Sequence, residues 1–241
     1  MQGILLSEDI DVMYHGLFKY DFFGHEAWIT TTHVCLLIVM VILLIFSIVA
    51  GHILKKGTEV PGAFQNAIEL MVEKLDSMIV GSLGSHAPAF RNYLCTIFIF
   101  ILFSNISGLL GLRPPTADYS VTLPLALITF VMIHFNKFKY NSIKQIWTDL
   151  CSPLPPWLPI WFPLNLVGEI AVPLSLSSRL FANVLSGTLI MGIVYGLLGK
   201  VALIWPAALH GYFDLFSGAI QTYVFCMLTM TYVSSAIGEE E

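Results

Sequence analysis

A single arginine, Arg179, lies near the middle of an apolar run that covers residues 164–198. A charged side chain at the centre of a bilayer costs about 2.5 to 17 kcal/mol, depending on the method, and a guanidinium cannot escape that cost by losing its proton. Ser175 and Asn183 lie one helical turn before and after it, so the three share a face. This pattern predicts a fixed positive charge on an ion path. The alternative is an arginine that pairs with a carboxylate of the same chain for packing alone.

Carboxyl groups flank this arginine along the predicted helices. Glu169 lies about three turns before it, and His210, Asp214 and Gln221 share roughly one face of the last apolar segment. An unpaired carboxyl at such depth is either protonated or needs a partner. We therefore predict an acid toward each end of an ion path, with the permanent cation between them. A histidine that merely lies at the interface, and serines that bond to their own helix carbonyls, are the structural alternatives.

The composition indicates what holds these residues. Of the 241 residues, 56% are apolar and 11% are charged, and the mean hydropathy is +0.80. An average soluble domain has about 25% charged residues, so lipid must be the solvent for much of this chain. The net charge of -5, with no basic patch, argues against a nucleic-acid partner. None of the four cysteines has the spacing of a metal site, and we expect no disulfide, metal or cofactor.

Five apolar segments are long enough to cross a hydrocarbon core of about 30 Å as helices. They cover residues 28–54, 93–112, 119–137, 164–198 and 202–237. Residues 62–83 have apolar side chains at helical spacing and charges on other faces, which is typical of an interfacial amphipathic helix. The last two spans, at about 50 Å each, exceed the bilayer, so they are either strongly tilted or broken. The short break at Gly199-Lys200 favours a long tilted hairpin in an all-α membrane protein.

Lysine and arginine predict the orientation of the membrane domain, residues 28–241. Seven of them fall on one side of the five spans: Lys55, Lys56, Lys74, Arg91, Lys137, Lys139 and Lys144. Lys19, Arg113 and Lys200 fall on the other side. The positive-inside rule then places the N-terminal segment 1–27 outside and the C-terminus in the cytoplasm. No signal peptide is evident in the first residues, so we expect insertion to depend on the spans themselves.

The stretch Ser-Leu-Ser-Ser-Arg-Leu-Phe-Ala-Asn at residues 175–183 resembles the signature of the a subunit of F-type ATP synthases. Other motifs follow in the family's order along most of the chain. They are Pro61-Gly62 with Gln65, Asn66 and Glu69, then Asn105, Pro114 to Asp118, Asn165 to Glu169, and Gln221 to Tyr232. The pattern is closest to that of the bacterial members.

The resemblance implies a non-catalytic stator subunit beside a rotating ring of c subunits. Two aqueous half-channels would meet the ring at offset positions, and Arg179 would keep each passing ring carboxylate ionised and block leakage between them. Its other partners would be the b subunits of the peripheral stalk, the remainder of the F1Fo complex and the lipid of the bacterial plasma membrane. We expect the ion to be a proton, although selectivity over sodium would lie largely in the ring, which is another chain.

Individual residues can be carried over from the family pattern. Asn183 and Gln221 match polar residues near the arginine, and Glu169 matches an acid common at the inner half-channel. Asp214 falls where many members have a histidine or an acid in the outer half-channel. The sequence departs from the pattern at Thr188, where many bacterial members carry glutamate. We hypothesise that the outer acid has changed helices.

Three other function classes compete with this interpretation. A secondary transporter would use Arg179 to bind an anionic solute and would show an inverted repeat or broken half-helices, and we find no such repeat in the sequence. In a structural scaffold the arginine would serve assembly alone, so its removal would lower assembly rather than ion flux. An enzyme could use His210 and Asp214 as a relay, but no nucleophile, metal cluster or phosphate loop accompanies them.

Overall fold

The computed structural model describes residues 16–22, 25–55, 62–151, 162–198 and 205–238. Its helices are α1 (Thr31–Lys55), α2 (Ala63–Leu83), α3 (Ala87–Ile106), α4 (Tyr119–Tyr140), α5 (Ile143–Cys151), α6 (Phe162–Leu198), α7 (Trp205–His210) and α8 (Gly218–Ile237), with a π-helical segment, Gly211–Ser217, between the last two. Short 3₁₀ turns lie at Gly84–His86, Ser107–Leu110 and Pro115–Ala117. The predicted break at Gly199-Lys200 and the C-terminal glutamates lie outside the described residues.

Within the described part of the chain, five helices have the length and apolar composition needed to cross a membrane. They cover Thr31–Lys55, Ala63–Leu110, Tyr119–Tyr140, Phe162–Leu197 and Ala208–Ile237. The second of these runs from the amphipathic helix α2 through α3, because only the three-residue turn at Gly84 separates them. Gly84 has φ of +51°, which a residue with a side chain rarely adopts. The predicted all-α fold of the membrane-spanning part is confirmed.

A β-hairpin that the sequence analysis did not predict precedes α1. Strand β1 (Gly16–Phe22) pairs antiparallel with β2 (His25–Thr30), and Lys19 lies opposite Trp28. The ammonium group of Lys19 is 5.9 Å from the centre of the Trp28 ring, which is a cation–π distance. Residues 28–30 belong to strand β2, so the first helix begins at Thr31 rather than at residue 28.

The helices pack around two buried apolar clusters. The first joins α2, α3, α4 and α8 through Ile79, Leu83, Phe90, Leu94, Ile133, Met230 and Val233. The second joins α3, α4, α6 and α8 through Ile97, Ile101, Ala126, Leu176, Leu180, Phe225 and Cys226. Leu176 and Leu180 are 3% and 0% exposed, and they are one turn apart on α6. Their burial fixes the rotation of α6 about its own axis, so Ser175 and Arg179 face away from the bundle.

A buried amide joins α3 to the last helix at the level of the π-helical segment. The Asn105 side-chain Nδ2 donates to the carbonyl oxygen of Gly218 at 3.1 Å and to the Thr222 hydroxyl at 3.4 Å. Its Oδ1 accepts a hydrogen bond from the Thr116 hydroxyl at 2.7 Å. Asn105 is 2% exposed, so this contact depends on the two helices lying close together. Gly218 permits the approach, because a Cβ at that position would lie 2.8 Å from the Cβ of Asn105.

We expect Gly218→Ala to destabilise the assembled protein by about 1–3 kcal/mol, the usual cost of overpacking a close contact. Gly81→Ala is the matched control, because Gly81 is also helical and a Cβ there meets nothing within 4 Å. The control should stabilise the helix by about 0.5–1 kcal/mol. Thermal unfolding of the purified complex measures both variants. Equal melting temperatures for the two would contradict the close packing of Asn105 on Gly218.

Candidate functional site

The guanidinium of Arg179 is exposed on the outer face of α6. Within the part of the chain that the structure describes, it makes no ion pair and no hydrogen bond. In the alternative interpretation, Arg179 pairs with a carboxylate of the same chain for packing alone. No such carboxylate contacts it among the described residues. Its neighbours on the same face are small, and all are exposed: Ser175, Ser178, Ala182 and Ser186. A flat face of small side chains with one cation is suited to close contact with another helix.

Asn183, one turn after Arg179, does not follow it onto the outer face. Its Nδ2 donates to the Ser217 hydroxyl at 3.1 Å, and that hydroxyl can donate back to Asn183 Oδ1 at 3.3 Å. The pair links α6 to the π-helical segment of the last helix. Asn183 therefore lies between the arginine and the interior of the hairpin, and it holds the two helices in register.

Gln221 lies on α8, one turn after Ser217, and is 7% exposed. Its Nε2 has no hydrogen-bond partner among the described residues. Leaving a buried donor unpaired costs about 1–3 kcal/mol. Such a group can bind a water molecule or a passing polar group, which is consistent with its predicted place on an ion path.

Asp214, His210 and Tyr195 form a hydrogen-bonded chain between the last two spans. The carboxylate Oδ2 of Asp214 lies 2.7 Å from Nδ1 of His210, and Nε2 of that ring lies 3.0 Å from the Tyr195 hydroxyl oxygen. Asp214 lies within the π-helical segment, a type of helix that frequently occurs at functional sites. The predicted proximity of His210 and Asp214 is thus present in the structure, and Tyr195 extends it to α6.

These residues line a cavity of about 360 Å³. Thr188, which stands where a glutamate was expected, lies on the wall of this cavity. Thr188 and the carboxylate of Asp214 therefore face the same space. The Thr188 hydroxyl itself donates to the carbonyl of Leu185 at 2.8 Å. Arg113, from the turn before α4, also lines the cavity. Gly108 closes the inner side, since a Cβ there would lie 3.0 Å from Asp214 Cγ.

Tyr195, Arg113 and Gly108 were not predicted as site residues. Tyr195 could have been found, because it lies seven residues after Thr188 and therefore on the same face of α6. No sequence signal identifies Arg113 or Gly108, because both reach the cavity from the connection between α3 and α4. Their placement depends on the packing of α3 against the last span.

Glu169 forms a separate cluster at the other end of α6. Its Oε1 accepts a hydrogen bond from the Lys137 ammonium at 2.5 Å, and its Oε2 lies 3.4 Å from His134 Nε2. Lys137 and Glu169 line a second cavity of about 460 Å³ together with Asn165. In the sequence Lys137 serves only as an orientation signal, whereas the structure gives it a carboxylate partner.

Asp118, in the Pro114 to Asp118 motif, caps helix α4. Its Oδ1 accepts hydrogen bonds from the Ser120 amide at 3.1 Å and hydroxyl at 2.8 Å, and its Oδ2 accepts one from Thr32 on α1 at 3.1 Å. Burial acts to raise the pKa of this carboxyl, but these hydrogen bonds and the charge of Arg113 together hold the pKa below its usual range. Asp118 thus fixes the start of α4 against α1 and lies outside both cavities.

Comparisons with known proteins agree on one family. A family model described as "ATP synthase A chain" matches residues 33–234. The "ATP synthase subunit a, sodium ion specific" of Propionigenium modestum is 36% identical over 199 residues, which cover 76% of this chain and 66% of that protein. An "ATP synthase subunit a 1" of Pelobacter propionicus is 33% identical over 203 residues, which cover 84% of this chain and 85% of that protein. A relative from Sulfurihydrogenibium is 31% identical over 207 residues, which cover 86% of this chain and 96% of that protein.

Proposed function

This chain belongs to the ATP synthase A chain family, and on that premise we propose that it carries ions between two half-channels and a rotating c-subunit ring. It is a multi-pass membrane subunit of the ATP synthase complex. In the proposal it forms no part of the nucleotide chemistry. Its work is to load and unload ring carboxylates and to keep the two loading paths apart.

The observation that carries the proposal is the exposed, unpaired Arg179. A guanidinium in an apolar helix needs a counter-charge, and no described residue of this chain supplies one. A carboxylate that approaches from outside the subunit is the simplest partner. The small residues around Arg179 permit a helix of the ring to come close. The permanent positive charge then favours the ionised form of that carboxylate, so it releases its ion there.

The outer half-channel consists of the cavity lined by Thr188, Tyr195, His210 and Asp214. From Asp214 the polar side chains continue to Ser217 and Asn183, one turn from Arg179. In this proposal the ion enters at the cavity, passes Asp214 and reaches the ring carboxylate beside the Asn183–Ser217 pair. Thr188 of α6 and Asp214 of the last span line the same cavity. This shared lining supports the hypothesis that Asp214 has replaced an acid at the position of Thr188.

The inner half-channel consists of the cavity at Glu169, Lys137 and Asn165. Ions that leave the ring on the other side of Arg179 would exit here. Because a carboxylate in lipid is too costly, each ring site must be neutral before it leaves the protein, and an ion therefore travels almost a full turn. A potential of 100 mV supplies about 2.3 kcal/mol per charge for this movement.

The remaining parts of the proposal concern placement. We place the subunit in the bacterial plasma membrane, with the N-terminus outside and the C-terminus in the cytoplasm, because of the lysine distribution. The b subunits of the peripheral stalk would hold it against the ring. The two cavities then open toward opposite sides of the membrane.

Cysteine cross-linking tests the contact with the ring. Ser175→Cys, on the exposed face of α6, should form a disulfide with a cysteine placed beside the ring carboxylate, because disulfides require Cα atoms within about 7 Å. Leu44→Cys on α1 is the matched control, since Leu44 is 62% exposed but lies on another helix. Cross-linking at Leu44 and none at Ser175 would show that α6 does not face the ring, and the proposal would fail.

A further inference from the structure

Helix α5 has an apolar face of which the other described residues cover only half. Four large apolar side chains lie on one side of the helix, at positions 143, 146, 147 and 150. Of these, Ile146 and Leu150 are partly buried, whereas Ile143 is 79% exposed and Trp147 is 50% exposed. The polar side chains on the opposite side are all exposed: Lys144, Gln145 and Thr148. The uncovered apolar half needs a partner from outside the subunit.

The covered half of this face holds α5 against the beginning of α6. The centre of the Trp147 ring lies 5.4 Å from that of the Phe162 ring, and the Asn165 side-chain Nδ2 donates to the carbonyl oxygen of Leu150 at 2.9 Å. Leu150 and Asn165 also line the cavity at Glu169, the inner cavity. Helix α5 is therefore one wall of the inner cavity, and a shift of this helix would change the shape of that cavity.

The turn before α5 places this helix at the membrane surface. Helix α4 is one of the five spans and ends at Tyr140, and only two residues separate it from Ile143. The turn is fixed by Asn141, whose Nδ2 donates to the carbonyl oxygen of Ala236 at 2.6 Å, near the end of the last span. Phe138, in the last turn of α4, is 64% exposed. The exposed apolar side chains of α5 therefore lie at the depth where lipid tails meet their headgroups.

Two lysines lie beside the exposed apolar side chains. Lys139 is next to the last residue of α4 and Lys144 is on α5, and both are exposed. Neither has a carboxylate partner among the described residues. The ammonium group of Lys139 lies 5.3 Å from the centre of the Tyr140 ring, and both Tyr140 and Trp147 are of the types enriched at membrane–water interfaces. Ammonium groups beside an apolar strip at this depth attract negatively charged lipid headgroups.

We propose that α5 is a docking surface for anionic phospholipid, with Ile143 and Trp147 among the lipid tails and Lys139 and Lys144 at the headgroups, and that this contact holds α5 in place as a wall of the inner cavity. The lipid contact stands on α5 itself, whereas its effect on the exit of ions rests on the proposed function. A helix of another subunit is the competing occupant of the apolar strip. The two lysines without carboxylate partners argue against it, because lysine is depleted in protein–protein interfaces.

Quenching by brominated lipid tests the contact in the whole enzyme reconstituted in vesicles. A fluorescent label on Ile143→Cys should be quenched about threefold more strongly than one on Thr148→Cys, because residues five apart on a helix are turned by about 140°. Thr148 is the matched control, since its hydroxyl bonds only within α5, to the carbonyl oxygen of Lys144. Labelling of the wild type gives the background, since three of its four cysteines are buried. Equal quenching at both positions would overturn the proposal, as would an Ile143→Cys label that neither brominated lipid nor aqueous iodide reaches.

The headgroup is tested by placing the bromine on either the anionic or the zwitterionic phospholipid of otherwise identical mixed vesicles. The anionic lipid should quench the Ile143→Cys label about twofold more strongly or better, since each lysine near an anionic surface strengthens the attraction about fivefold. Lys139→Gln combined with Lys144→Gln should remove this preference. Lys55→Gln combined with Lys74→Gln is the matched control, because both are exposed lysines on other helices, and it should keep the preference. Equal quenching by the two lipids with all four lysines in place would overturn the choice of anionic phospholipid.

The rate of ATP synthesis with Ile143→Ser measures the effect on the inner cavity. Because Ile143 is so exposed, a polar replacement costs the folded subunit little, yet the loss of the lipid contact should lower the rate about twofold to fivefold. Thr148→Ser should keep the wild-type rate. Full synthesis with Ile143→Ser would overturn the link between the lipid contact and the inner cavity. Failure of Ser175→Cys to cross-link to the ring with Ile143 in place would instead remove the proposed function, whereas the quenching results decide the lipid contact by themselves.

Discussion

Replacement of Arg179 by alanine is expected to abolish ATP synthesis in the reconstituted enzyme, with a loss of more than about 100-fold. Arg179 is the one lysine or arginine within α6, so without its guanidinium that helix has no positive charge to favour the ionised ring carboxylate. The ring site then keeps its ion, and rotation is no longer coupled to ion flow. The rate of ATP synthesis after an imposed membrane potential measures the effect.

Two further variants make that result specific. Arg179→Lys should remain strongly impaired, because a lysine ammonium can lose its proton when it is desolvated and a guanidinium cannot. Arg91→Lys is the matched control, since Arg91 is an exposed arginine that pairs with Asp76 away from both cavities, and it should keep near-normal synthesis. Because Arg179 is exposed in the subunit, none of these changes leaves a buried charge unpaired, and assembly should be retained.

Asp214→Asn is expected to lower ATP synthesis about tenfold or more, because an amide can accept a hydrogen bond from His210 but cannot take up a proton. The substitution preserves size, which matters since Gly108 lies close to the carboxylate. Asp76→Asn, at a carboxylate near the surface, serves as the control. Near-normal synthesis with Asp214→Asn would show that this residue is not the outer acid.

A second-site change tests whether the acid has moved between helices. Thr188→Glu combined with Asp214→Asn should recover part of the lost rate, because Thr188 lines the same cavity. No recovery in an assembled complex would mean that the two positions are not equivalent. The single variant Thr188→Glu is the control, because it shows how the added bulk by itself changes the rate of ATP synthesis.

The membrane class and the exposed arginine could be predicted because both depend on local pattern. Long apolar runs must form helices in lipid, since every backbone group needs an internal partner. Arg179 stands out because it is the one positively charged residue in the run 164–198. The predicted line of Ser175, Arg179 and Asn183 on a single face was less accurate. Residues four apart on a helix are offset by about 40°, so Asn183 is turned by about 80° from Ser175 and contacts Ser217 on the last helix.

The parts of the site that the sequence could not supply are those made by packing between distant segments. Tyr195 meets His210 only because the last two spans lie side by side, and Asn105 meets Gly218 across 113 positions of sequence. The π-helical segment at Gly211–Ser217 has no sequence signature that hydropathy can read. The hairpin of Gly16–Phe22 and His25–Thr30 was likewise missed, because its second strand runs directly into the apolar pattern of α1.

Passive ion flux through the Arg179→Ala enzyme tests the central claim most directly. Liposomes that contain the assembled complex are given a membrane potential without nucleotide, and ion entry is followed against the wild type. If Arg179 separates the two half-channels, the variant should leak ions while it makes no ATP, and the wild type should not leak. A variant that makes ATP at a substantial rate and shows no leak would mean that the arginine is structural, and the proposed ion path would have to be abandoned.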